Sequence, residues 1–464
     1  MPRKDKSNAI LSGNMYSAIL SLAIPVVLNS FLQTMYNLTD TYWLGKIGTQ
    51  SMAAITLVTP VQNIILNVGS GITVAGSVLV SQYIGAKDVK NAKSMANQLF
   101  ACAMIFATFC GLLCYFLTPS IVGWLGATGT IKEYGIEYLR IIMLDMPFLY
   151  MINIYAAITQ AQGDTVKPML LNLIGICINM VLDPLFLVVL DMGIGGAALA
   201  TLFAKIPSAV VAFILINSKK KDVHLELSKF KFEKEKLLNI LRVGFPTAIG
   251  GSTMQLGFLL MSKNVYEYGD MAVAAYGIGN KVNGLISLPS NAIGSATAII
   301  VGQNVGAHQY DRARKGYIIA RNMAVIFLFC GGMILSREVV STAIVSIFSD
   351  DPEVIRMAAD FLSVMAFWCF TNGVQNATSG LFQGNKRTEI NMIIDITRLW
   401  VFRFLTLYIC ETVLKMGVRS IWYSVVVSNA LSALVLYILY HLIILRKYKK
   451  LTGTNQTKDI TDKA

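Results

Sequence analysis

The sequence predicts an all-α integral membrane protein of twelve transmembrane helices in two six-helix lobes related by a parallel internal repeat. Three observations carry this expectation. Of 464 residues, 55% are hydrophobic and 14% charged, with a mean hydropathy of +0.59, where soluble domains carry about 25% charged residues. Twelve mostly apolar runs each approach or exceed the roughly 20 residues a helix needs to cross hydrocarbon. The second half of the chain also repeats the first.

The runs lie at about 15–43, 51–80, 95–117, 131–157, 168–190 and 194–217, then 238–263, 272–302, 316–335, 354–382, 390–411 and 418–444. They divide the chain into an N-terminal segment 1–14, an N-lobe 15–217, a linker 218–237, a C-lobe 238–444 and a tail 445–464. Basic residues gather on alternate connections, at Lys87, Lys90 and Lys93, at Lys167, from Lys219 to Lys236, from Arg312 to Lys315 and from Arg446 to Lys450. The positive-inside rule then puts both termini and the linker in the cytoplasm, with the protein in the plasma (inner) membrane. That distribution accounts for the net charge of +13 without nucleic acid. No small-residue cleavage site follows the polar start, so no cleavable signal peptide is expected. The seven cysteines lie in apolar runs without CxxC or Cys/His spacing and are expected to be packing residues.

Laid over itself with a shift of 221 residues, the chain places Val80–Ala86 on Val301–Ala307, Pro25 on Pro246 and Gln162-Gly163 on Gln383-Gly384. Six spans per half is an even number, so both halves enter the bilayer from the same side. Such a parallel repeat suits two lobes rocking around a central cavity.

Two carboxylates, Asp40 and Asp183, fall within spans, where an acid costs about 2.5–3.5 kcal/mol on insertion scales. Gln33, Tyr36, Asn37 and Asp40 follow helical spacing and share one face. Asn172, Asn179 and Asp183 share another, and Pro184 withdraws a backbone donor beside them. Either these groups bond helices together or they hold an ion. The repeat favours the ion, because the shift of 221 carries Gln33, Asp40, Asn179, Asp183 and Thr201 to Met254, Met261, Trp400, Phe404 and Trp422. A scaffold role would be wanted in both halves. Neighbouring carboxylates in low dielectric call for a proton or a cation between them, and carboxylate, amide and hydroxyl oxygens suit a hard cation such as sodium. Both ions stay open.

Lys205 and Lys281 also fall within spans, where pairing with an acid, filling an emptied cavity and snorkelling are all open roles. Asp395, Arg398 and Arg403 are spaced for a local structural bridge. The histidines His224, His308 and His441 stand at loops or helix ends, and no HExxH, GxSxG or P-loop pattern occurs. An enzyme is therefore disfavoured, and without a nucleotide site the energy for transport must come from an ion gradient.

The run from Ile24-Pro25 through Gln33, Tyr36, Asn37 and Asp40, the loop Ser81–Ala86, Gln162-Gly163-Asp164 and Asn179–Pro184 together resemble the multidrug and toxic compound extrusion (MATE) family, over essentially the whole chain. The resemblance implies a V-shaped pair of lobes exchanging protons and/or sodium for amphipathic organic cations. It implies no cofactor, a lipid bilayer and small-molecule cations as partners, and a monomer. The motifs are more similar to the DNA-damage-inducible-F-like and archaeal members than to the NorM branch. On that likeness the ion site comprises Asp40, Asn179, Asp183 and Thr201, with sodium a candidate ligand. Gln33, Tyr36, Asn37, Asn153 and Asn172 then line or support the substrate cavity, and Pro25 is the point where the first helix bends. Where the NorM branch carries C-lobe acids, this chain has Gln255 and Asn372. The function expected is secondary active multidrug efflux by alternating access. Its rival is a lipid-linked precursor flippase of the same wider superfamily, which a cavity dominated by Lys205, Lys281 and Arg398 would favour.

Overall fold

The computed structural model describes residues 9–219, 222–226 and 230–452. The chain opens with α1 (Met15–Ile47), α2 (Thr49–Gly85) and α3 (Val89–Trp124). A span broken at Asp145 follows, its halves α4 (Gly129–Leu144) and α5 (Met146–Ala161) meeting at 43°. Next come α6 (Val166–Pro184) and α7 (Gly193–Asn217). The second half runs through α8 (Lys234–Tyr266), α9 (Asp270–Gly306), α10 (Tyr310–Leu335) and the short α11 (Glu338–Val345). Its own broken span, α12 (Pro352–Trp368) and α13 (Phe370–Gly384), bends by 52° at Cys369. A helical run from Thr388 to Val413 contains α14 (Thr388–Thr397) and α15 (Phe404–Tyr408), and α16 (Arg419–Leu439) closes the bundle.

Among the described residues, eight helices are long and apolar enough to cross a membrane, and ten spans result when each bent pair counts as one. Two more complete the twelve: α8, which carries Gln255, and the run from Thr388, which carries Asp395, Arg398 and Arg403. The packing is that of a protein dissolved in lipid. Phe116 and Val181 stand 71% and 67% exposed, while buried positions are rich in alanine, as at Ala75, Ala96, Ala103 and Ala107. Small residues let helix backbones approach where hydrocarbon offers no hydrophobic drive for association.

The chain gathers into two compact units, one running from Pro25 to Ala248 and the other built from the chain up to Ile24 and from Ile249 onward. The divisions fall inside α1 and α8. Within the first unit the linker is tied to α3: Lys93 pairs with Glu226 at 2.8 Å, the Glu226 amide donates to Asn97 at 3.0 Å, and Lys236 donates to Asn91 at 3.0 Å.

Backbone landmarks correct the constant repeat. Through the first three helices the shift of 221 holds, as in the left-handed glycines Gly48 and Gly269 (φ 135° and 90°) and in Lys87 and His308 (φ 57° and 58°). Beyond them it widens. The helix breaks at Asp145 and Cys369 are 224 residues apart, as are the positive-φ pairs Asp191 and Lys415, and Gly193 and Gly417. The widened turns agree, since Leu190 N donates to Leu185 O at 2.9 Å and Leu414 N to Ile409 O at 3.1 Å. The excess is two residues at the turn that ends the broken span, where Gly163 and Lys386 stand 223 apart, and three again past the widened turn at Arg398–Arg403. The structural counterparts of Asp183 and Thr201 are therefore Leu407 and Val425 rather than Phe404 and Trp422, and Asn179 falls opposite Phe402 or Arg403 rather than Trp400.

Candidate functional site

A cavity of about 930 Å³ opens within the first unit, a size that suits a drug-like molecule. The face predicted on α1 delivers Pro25, Gln33, Tyr36, Asn37 and Asp40 to it; α5 adds Asn153, α6 adds Asn172, and α7 adds Thr201 and Lys205. Pro25 lies inside the continuous α1, where its ring withholds a donor from the preceding turn. A second, much smaller niche of about 50 Å³ adjoins these residues. Gln33, Tyr36, Asn172, Thr201 and Lys205 line both spaces, and Asn179 lines the niche alone. That volume admits a water or a small cation and no organic substrate.

Asp183 lines neither space. It is fully buried on α6, one turn past Asn179, and among the described residues neither its carboxyl oxygens nor the Asn179 amide atoms make a hydrogen bond of ordinary geometry. Buried polar groups left so are rare and call for an explanation. Asp40 and Asp183 are close enough to feel each other's charge, and Tyr36 and Tyr138 feel both. The donors at hand are two carboxylates with amide and hydroxyl oxygens. No group of three or more His, Cys, Asp or Glu gathers among the described residues. Such a set fits a proton or a monovalent hard cation better than a transition metal.

Polar contacts between helices fix the lining. Asn172 on α6 donates to Asn29 on α1 at 2.8 Å and to Gln33 at 3.4 Å, and Gln33 reaches Asn37 at 3.4 Å. Thr201 directs its hydroxyl proton to the Ala197 carbonyl at 3.2 Å, which leaves its oxygen to face Tyr36 Oη at 3.5 Å.

Sequence reasoning missed three participants. Asn29 extends the α1 face by one more turn, a position its spacing from Gln33 could have shown. Tyr138 lines the cavity from α4. Asp145 is the counter-ion of Lys205: the two pair directly, with Asp145 1% exposed at the break between α4 and α5. An acid followed by Met146-Pro147 in the middle of an apolar run was the available signal. Lys281 is exposed and stands in the other unit. Arg398 makes the predicted bridge to Asp395 at 3.2 Å, but Arg403 does not join it and bonds instead to Ser428 at 3.1 Å and Asn429 at 3.2 Å.

The second unit fills the equivalent place with side chains. Met261, Leu407 and Val425, the counterparts of Asp40, Asp183 and Thr201, belong to a single apolar cluster with Trp422 and Phe361. Whether counted with the shift of 221 or 224, no carboxylate returns.

The family described as MatE matches residues 25–185 and 246–409. Its two matches begin 221 residues apart and end 224 apart, as the backbone does. The chain is 23% identical over 428 residues to a probable multidrug resistance protein, YoeA, of Bacillus subtilis, covering 90% of this chain and 92% of that one. It is 24% identical over 434 residues to the multidrug export protein MepA of Staphylococcus saprophyticus, covering 93% and 94%. Among solved structures, an outward-facing multidrug resistance MATE family transporter of the MOP superfamily superposes with a TM-score of 0.91 at 25% identity, over 96% of this chain and 99% of that one. A MATE in the bent conformation superposes with a TM-score of 0.89 at 25% identity, over 97% and 99%.

Proposed function

The chain belongs to the MatE family, and from that membership we propose a multidrug efflux transporter that exchanges amphipathic organic cations for protons and/or sodium at one site in its first half. It is a multi-pass protein of the cell membrane and a transporter rather than an enzyme. Its termini and linker face the cytoplasm, it acts as a monomer, and its two halves rock to give alternating access.

One observation carries the ion site: a drug-sized cavity that holds Asp40 shares six lining residues, Ile152 and five polar ones, with a niche sized for an ion. Substrate and ion then compete for overlapping walls. Ion arrival around Asp40, Asn179, Asp183 and Thr201 weakens substrate binding, and linkage makes the effect reciprocal. Pro25 gives α1 a place to bend as the site changes occupancy, in keeping with relatives solved in bent and straight conformations.

The flippase reading asks for a cationic cavity. Lys205 is paired with Asp145, and Lys281 and Arg398 belong to the other unit, so the exporter is the better supported reading.

The test is efflux of methyltriphenylphosphonium from proteoliposomes under separately imposed proton and sodium gradients. One or both gradients should accelerate it, and Asp40→Asn and Asp183→Asn should each remove the acceleration. Wild-type rates in both variants would overturn the proposal.

A further inference from the structure

We infer that Lys205 is a movable internal counter-ion: docked on Asp145 it leaves Asp40 open to a cation, and turned toward Asp40 it displaces one. The inference deepens the exporter reading and rests on it. Lys205 reaches Asp145 through a single carboxylate oxygen, Oδ2, while Oδ1 has no hydrogen-bond partner among the described residues. The lysine side chain is 25% exposed and lines the cavity beside Asp40, which lies within reach of its charge. A flexible four-carbon stem with a compact ammonium can change partner without moving its helix.

The scaffold does not need this pair. Asp145 occupies the position before α5, yet its side chain caps nothing there. The second half supplies an internal control. Its broken span bends at Cys369, whose thiol bonds to the Leu328 carbonyl at 3.1 Å, and the counterpart of Lys205 at a shift of 224 is Asn429. The same bend therefore forms with no ion pair across it. Charges kept inside a membrane bundle without a structural need mark function.

One lysine cannot neutralise two acids at once. Asp145 is the more buried of the two carboxylates and so the costlier to leave uncovered, which makes the docked state the resting one. Asp40 is then the carboxylate a substrate cation meets.

The experiment compares binding of methyltriphenylphosphonium to purified full-length Lys205→Met, Asp145→Asn and the double variant. Removing the lysine should tighten binding, and removing its dock should weaken it, each by roughly tenfold, within the ordinary range of coupling between sites. The double variant should bind at least as well as wild type, which guards against misfolding of Lys205→Met with its uncovered acid. A purely structural bridge would move both single variants in one direction, and that result overturns the inference. A second readout uses no substrate: carbon-13 spectra of reductively methylated lysines, with the Lys205 resonance identified by its loss in the double variant. That resonance should move when Asp40→Asn is added to Asp145→Asn. If it stays put, the inference falls whatever transport shows; if it moves while wild type binds no cation, only the exporter reading falls.

Discussion

Asn172 on α6 donates its side-chain amide to Asn29 on α1 at 2.8 Å, and this contact aligns the helix that carries Asp183 with the helix that carries Asp40. Hydrogen bonds between membrane helices contribute about 0.6 kcal/mol on average and up to about 1.7. Asn172→Leu should therefore lower thermal stability modestly and loosen Gln33, its second partner at 3.4 Å. A double-mutant cycle with Asn29→Leu checks this. Strictly additive losses would show that the two amides do not stabilise each other.

Thr201 offers a way to choose between sodium and protons. Its hydroxyl proton is directed to Ala197, so the oxygen faces Tyr36 and the niche as an acceptor. Thr201→Val keeps the shape and removes that oxygen. If sodium is the coupling ion, the sodium concentration giving half-maximal efflux should rise roughly tenfold, as losses around metal sites do, while proton-driven efflux stays near wild type. Equal loss under both gradients would point to a structural role instead.

Much of this site could be read from spacing. Gln33, Tyr36, Asn37 and Asp40 were placed on one face by helical periodicity, and the structure puts them on one cavity wall because α1 runs unbroken past Pro25. Asp145 was harder to see. Its partner lies 60 residues away on α7, and no local pattern reports a contact formed when two distant helices pack. The repeat failed for a related reason. A shift of 221 matches motifs in the early helices, but two to three extra residues after α10 move the later positions by up to nearly one turn. That slip exchanges Phe404 for Leu407 as the counterpart of Asp183 while leaving Met261 opposite Asp40.

The linker should release in acid. Glu233 is held below the usual carboxylate range by its hydrogen bonds to Lys236 and to Ser94. Asp88, which caps α3, is held low by the Asn91 side chain at 2.6 Å and the Asn91 amide at 3.0 Å. Groups depressed on folding stabilise the folded form above their unfolded values, and the stabilisation fades as pH falls through the depressed ones. Amide exchange over 222–226 and 230–236 should stay protected at neutral pH and rise below about pH 4. Loss of protection already near pH 6.5, well above the carboxylate range, would overturn the carboxylate account.

A carboxylate cannot be transplanted to the second unit by symmetry. Met261 is the counterpart of Asp40, but it is 0% exposed and packs in a cluster where Trp422 and Phe361 meet at a tilt with ring centroids 4.5 Å apart. The neighbours that surround Asp40 with amides and hydroxyls are replaced there by Leu407 and Val425, and Arg403 is already committed to Ser428 and Asn429. Met261→Asp should therefore cost at least about 2.5–3.5 kcal/mol, seen as a lower melting temperature and less monodisperse protein, with no second coupling ion gained. Met261→Leu conserves volume and should cost less than about 1.5 kcal/mol. An aspartate variant as stable as wild type would mean that Arg403 had left its partners to pair with the new acid, and the asymmetry between the halves would then lie in residue choice rather than in packing.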